Sequence, residues 1–117
     1  PGVPGMSENI SVVSVIGRFL EHSRIYYFHN NGHPDFLIGS ADWMYRNLSR
    51  RVEIIVPIKH PKLRTYLKDV VLGNYLKDNV NARELRSDGT YVRVKSLEPE
   101  KKLDSQLEFE SLQAQPN

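Results

Sequence analysis

Residues 24–40 read RIYYFHNNGHPDFLIGS, and the period of that segment separates sheet from helix. Aromatic and β-branched residues over 24–28 favour an extended chain. NNGHPD is turn chemistry, because Asn and Gly tolerate left-handed backbone and Pro cannot continue a central ladder. FLIGS then resumes the apolar run, so the segment predicts a β-hairpin. Downstream, RVEIIVPI (51–58) reads as a further strand, and its continuous apolar centre predicts burial on both faces. The connection between them, ADWMYRNLSR, reads as polar and irregular, with Trp43 as a packing anchor beneath it.

Upstream of the hairpin the period changes. Val12, Val15, Ile16, Phe19 and Leu20 fall on one helical stripe, with Ser7 as a candidate N-cap and Glu8 just inside it. The many β-branched residues leave a strand over 11–16 as the alternative. Beyond the third strand, Leu63, Leu67, Val70, Val71 and Tyr75 recur at helical spacing, and Pro61 suits a first turn. ARELRSDGTYVRVK predicts a second hairpin around Ser87-Asp88-Gly89. Leu103, Leu107 and Leu112 allow a weak helix that frays into disorder within a charged, then Gln-rich tail. The sum is α+β: a central mixed sheet flanked by two or three helices, with a domain over 1–95 and a polar C-terminal extension over 96–117.

The chain has 117 residues, enough for one compact domain. Lys plus Arg is 16 against 14 Asp plus Glu, a net charge of +2, so bulk electrostatics does not predict nucleic-acid binding. Any anion site must be local. With no cysteine, disulfides, thiolate zinc and thiol catalysis are excluded. No apolar run approaches the ~20 residues that span a bilayer. The opening PGVPGM has no Met at its head and reads as a turn-rich loop, which predicts a piece of a longer protein.

Three clusters could carry chemistry. In LEHSR, His22 can switch between proton donor and acceptor near neutral pH. Arg24, two residues on, shares its face if the strand begins at His22, and a guanidinium there can hold phosphate oxygens bidentately. The competing reading makes His22 a helix C-cap and pairs Arg24 with Glu21. In IGSADW, Gly39, Ser40 and Asp42 end a strand, where small residues admit an anion to the backbone and Ser40 adds a hydroxyl. A plain exit turn fits equally. In RNLSRRVEI, Arg46, Arg50 and Arg51 cluster ahead of Glu53. Arg51 and Glu53 share a face at the head of an apolar strand, either in a polar cleft or as an ion pair at the sheet edge. His29, His33 and His60 lack partners at metal-ligand spacing, and no Walker-type glycine loop is present.

PGVPGMSENISVVSVIGRFLEHSRIYYF, GSADWMYRNLSRRVEIIVPI and NVNARELRSDGTYVRV together resemble the C-terminal catalytic domain of the type 1 bacterial polyphosphate kinase family, over residues 1 to about 93. Ser11 departs from a usual basic residue, and Tyr45 from a usual Pro or Thr. The resemblance implies a phospholipase D-like fold, with His22-x-Arg24, Gly39-Ser40 and Glu53 matching that fold's phosphate-handling elements. It implies reversible transfer of the terminal phosphoryl of ATP to polyphosphate through a phosphohistidine. That nucleophile belongs to an upstream domain, so this segment alone is expected to be inactive.

His22 matches the second histidine, a candidate general acid contacting nucleotide phosphates, with Arg24, Ser40, Arg51 and Glu53 as further ATP or phosphate contacts. Mg2+ is implied with ATP, its ligands lying outside this segment. The implied partners are ATP, ADP, polyphosphate, the upstream domains and further copies of the parent, without nucleic acid or a transmembrane segment. The implied location is cytoplasmic or peripheral to the inner membrane face. Two other readings remain: a phospholipase D-type phosphodiesterase that completes its site by dimerising, and a non-catalytic anion-binding domain.

Overall fold

The structure, a computed structural model, describes residues 1–95 and 101–114. In chain order the elements are β1 (Val13–Val15), β2 (Ile25–Phe28), a 3-10 turn (Asn30–Gly32), β3 (Asp35–Gly39), α1 (Tyr45–Arg50) and β4 (Ile55–Pro57). α2 (Pro61–Thr65), a π-helical stretch (Tyr66–Leu72), α3 (Gly73–Lys77), β5 (Ala82–Leu85), β6 (Tyr91–Arg93) and α4 (Ser105–Gln113) follow. The class is α+β, as expected. The single mixed sheet is replaced by two three-stranded sheets, β1-β5-β6 and β2-β3-β4, antiparallel throughout.

The chain divides into two compact units. One, Glu21–Leu72, holds the β2-β3-β4 sheet. The expected hairpin forms in register, with Ile25 opposite Ile38 and Phe28 opposite Asp35. Its turn carries Asn30, Asn31 and Gly32 at φ of 46°, 51° and 89°, the left-handed region that Asn and Gly tolerate best. Phe36, 3% exposed, is the centre of this unit. The Tyr27 ring lies 4.8 Å from it, the Arg64 guanidinium packs over its face, and Lys68 covers Tyr27. Arg64 also donates Nε to the Ile58 carbonyl at 2.8 Å, which ties α2 to the strand it follows.

Three expectations change here. β4 is an edge strand with one neighbour, and Ile55 and Val56 on it are exposed, where burial on both faces is expected from the sequence. The connection over 41–50 is not wholly irregular, since it contains α1. Trp43 is no anchor beneath a loop: it is 79% exposed and donates Nε1 to the Tyr26 hydroxyl at 3.1 Å.

The other unit comprises Pro1–Leu20 and Gly73–Asn117. The helix expected over 12–20 is absent; β1 takes the strand alternative, pairing Val13 with Glu84 and Val15 with Ala82. Val12, Val13, Val15 and Ile16 are β-branched, and their χ1 stiffness suits a pleated strand better than a helix. Ser7 therefore caps no helix. Its Oγ accepts from Val3 N–H within the opening turns. The second hairpin forms as expected, Asp88 accepting from both N–H and hydroxyl of Thr90 and Gly89 supplying a φ of 83°.

The helix expected from Pro61 to Tyr75 is present in three parts, with Pro61 in the first turn and the π-helical stretch between α2 and α3. α4 is capped by Asp104, whose carboxylate accepts from Gln106 and Leu107 N–H. Asp78, 2% exposed, ties this helix to β5. It accepts from the N–H groups of Val80, Asn81 and Ala82, and from both N–H and hydroxyl of Ser105. The Gln106 amide closes on both polar groups of the Phe19 backbone, at 2.9 and 2.8 Å. The expected start of an extension at Ser96 and Leu97, and the disorder expected at the final residues 115–117, lie outside the described residues. Among the described residues no helix is long and apolar enough to cross a membrane.

Candidate active site

Antiparallel pairing in the β2-β3-β4 sheet puts the start of β2, the end of β3 and the start of β4 at one edge. Gly39 N–H donates to the Arg24 carbonyl and Ser40 N–H to the Ile54 carbonyl, both at 3.0 Å. The three candidate clusters, His22–Arg24, Gly39–Asp42 and Arg51–Glu53, therefore meet at one end of one sheet. Each had been singled out separately. The hairpin and the strand order bring them together.

Their contacts divide into two groups. Ser40 Oγ donates to Glu53 Oε2 at 2.5 Å and accepts from Ile54 N–H at 3.1 Å, so hydroxyl and carboxylate form one wall. Arg24 donates Nε to Asp42 Oδ1 at 2.8 Å and Nη2 to the same oxygen, and its Nη1 reaches the His22 carbonyl at 2.7 Å. The sequence places Asp42 at this strand end without assigning it a role. A carboxylate two residues past the serine that follows β3, with an arginine just ahead of the neighbouring strand, is the signal that finds it. Glu53 accepts from Ser40, and the ion pair with Arg51 expected as one alternative at the sheet edge does not form among the described residues.

Asp42 feels the whole cluster. The hydrogen bonds from Arg24 hold its carboxyl below the ordinary value, against a desolvation that pushes it up. The charges of Arg24, His22 and Arg46 add to the lowering. That coupling puts His22 within electrostatic reach of Asp42. His22 is exposed and precedes β2 in a segment without regular structure, so it caps no helix. Arg51 ends α1 in an extended conformation, exposed, with no ion pair among the described residues. Asn47, 5% exposed, steadies the turn by donating Nδ2 to the Asp42 carbonyl at 3.3 Å. A pocket lined by Gly17, Phe19, Asn81 and Gln106 lies in the other unit and contains none of the candidate residues.

The family described as polyphosphate kinase C-terminal domain 2 matches residues 1–106. The chain belongs to that family. It is 56% identical to a polyphosphate kinase of Synechocystis over 109 residues, 93% of this chain and 15% of the relative. It is 60% identical to that of Thermosynechococcus vestitus over 91 residues, 78% of this chain and 12% of the relative. The crystal structure of the polyphosphate kinase from Porphyromonas gingivalis superposes with a TM-score of 0.81 at 38% identity, covering 95% of this chain and 17% of that one. The fold is thus that of a polyphosphate kinase segment, phospholipase D-like as the resemblance implied. The family match runs past residue 93, into the turn that caps α4. The chain spans about 15% of the length of the Synechocystis relative.

Proposed function

We propose that this chain supplies one wall of the active site of a polyphosphate kinase, which transfers the terminal phosphoryl of ATP reversibly to polyphosphate. The nucleophilic histidine that carries the phosphoryl stands on an upstream domain, so the segment is inactive alone. The observation that carries this reading is the meeting of His22, Ser40 and Glu53 at one sheet end, in a chain of this family.

With the covalent step on the upstream histidine, the part left to this segment is positioning and stabilising the charge of the phosphoryl in transit. His22, exposed at the mouth of the site, donates a hydrogen bond or proton to a phosphate oxygen as its bond to phosphorus weakens, and recovers it in reverse. Arg51, a guanidinium with no carboxylate partner among the described residues, is free to meet phosphate charge. Ser40 and Glu53, joined by the Ser40 hydroxyl, stand at the same sheet end as the remaining phosphate contacts of this reading. Among the described residues no three His, Asp or Glu side chains gather as a metal site. On this reading the Mg2+ that accompanies ATP takes its ligands from outside this segment. The same reading makes the parent a cytoplasmic or peripherally membrane-bound homo-oligomer that binds ATP, ADP and polyphosphate.

The test is His22→Ala in the full-length kinase carrying this segment. ATP-dependent polyphosphate formation should fall by roughly 10²–10⁴, the range of a lost general acid. Unchanged turnover would reject the assignment. His22→Gln refines it, since glutamine donates a hydrogen bond but exchanges no proton; near-normal activity there would leave His22 only a hydrogen-bonding role.

A further inference from the structure

Arg24 stands in the sequence as a phosphate ligand, yet its donors are directed inward. Its side chain is 18% exposed. Nε and Nη2 meet the same oxygen of Asp42, and Nη1 meets the main-chain carbonyl of His22. The Arg24 carbonyl is itself pinned by Gly39 N–H. Asp42 is held in turn through its carbonyl by the buried Asn47 of α1. A continuous chain of contacts therefore runs from α1 through Asp42 and Arg24 to the backbone of His22.

We propose that Asp42 is a positioning residue: it orients Arg24, and Arg24 clamps the main chain of His22, so that the pair sets where the imidazole stands. Arg24 then serves phosphoryl transfer through His22 and does not grip the substrate. The inference rests on the role proposed above for His22.

Three features favour it over a direct phosphate contact. His22 lies outside β2, in a segment with no ladder hydrogen bonds to fix it, so its placement depends on side-chain contacts. The Arg24–Asp42 pair is formally neutral, so it offers a phosphate far less attraction than unpaired Arg51. And the planar guanidinium serves the carboxylate and the carbonyl from one rigid fork; a lysine ammonium keeps the charge but loses that fork.

The experiment compares Asp42→Asn, Arg24→Lys and His22→Ala, singly and combined, in the full-length kinase, reading kcat and KM for ATP. Asp42→Asn and Arg24→Lys should each lower kcat by roughly 10- to 100-fold, the scale of a misplaced catalytic group, with KM nearly unchanged. Neither should lower turnover further once His22 is alanine, because their effect travels through that side chain. Asp42→Glu should recover part of the loss, and it stands in should Asp42→Asn fail to fold. Asp42→Asn reducing the His22→Ala enzyme by the same factor as the parent would overturn the proposal. So would a raised KM at constant kcat, the signature of a substrate grip. Normal kcat in Asp42→Asn beside an impaired His22→Ala sinks the positioning role alone. Normal kcat in His22→Ala sinks the role of His22 and this inference with it.

Discussion

Asp42 and Asp78 carry the same side chain, both carboxyls lie below their ordinary value, and the causes are opposite in kind. Asp42 is lowered by a charged partner, Arg24, at the edge of a sheet where the carboxylate is still 41% exposed. Asp78 is pushed up by burial and then brought below its ordinary value by hydrogen bonds from Ser105, Asn81 and Val80. A carboxylate held by a charge at the surface leaves a site open to water and ligand. One enclosed by backbone donors welds distant segments together. The direction of a shift alone does not tell a site from a staple; the identity of the donors does.

Removing the staple should give the largest effect on stability. Asp78→Ala strands the N–H groups of Val80, Asn81 and Ala82 and both donors of Ser105. A buried unsatisfied donor costs about 1–3 kcal/mol, so the total loss should be roughly 3 kcal/mol or more. That is a large share of a stability of about 5–15 kcal/mol. Urea unfolding reads it, and amide exchange at residues 80–82 and 105 should accelerate most. The pH dependence has a fixed sign. Because the folded Asp78 value lies below the unfolded one, its contribution is complete above about pH 4 and is lost as pH falls through the folded value. Asp78→Asn should flatten that acid limb. A wild-type limb in Asp78→Asn would show that this carboxylate is not the staple.

The contrast also marks what a sequence can disclose. Both hairpins were legible because turn chemistry and period-two alternation are local. β1 was misread because five apolar residues happened to satisfy helical spacing, while their β-branching stated the other outcome. At β4 a run of Val and Ile reports apolar content and not what packs against the two faces of the strand. At the site, His22, Ser40 and Glu53 were legible as chemistry-bearing types near strand ends. The partnership of Arg24 with Asp42, 18 residues away, was not, and neither was that of Asp78 with Ser105, 27 residues away. Each depends on which strand lies beside which.

A middle-sized effect should come from Gly17. A Cβ there would stand 2.3 Å from Gln106 Oε1 and 2.7 Å from its Nε2. The end of a glutamine is usually free to move aside. Here the same amide makes both contacts with the Phe19 backbone, so moving it breaks the clamp. Gly17→Ala should cost about 1–2 kcal/mol, the net value of one or two hydrogen bonds. Adding Gln106→Ala should cost little more, since the first change already displaces that side chain. Additive losses would show that the two residues act separately.

The smallest effect should be at Trp43, which the sequence reads as a packing anchor. A tryptophan anchoring a buried loop costs about 3–5 kcal/mol when truncated to alanine. Trp43 instead keeps 79% of its surface in water, with its ring centroid 6.3 Å from that of Tyr26 and one hydrogen bond to the Tyr26 hydroxyl. Trp43→Phe removes only that bond and should shift stability by less than about 0.5 kcal/mol, the ordinary range for surface substitutions. Tyr26→Phe removes its other half and should match it. Because the chain has a single tryptophan, native emission can be read without subtraction, and it should already be that of a hydrated indole. Blue-shifted native emission together with a loss above about 2 kcal/mol in Trp43→Ala would restore the anchor. It would also bury one side of the edge where His22, Ser40 and Glu53 meet, and weaken the case that this end of the sheet stands open to substrate.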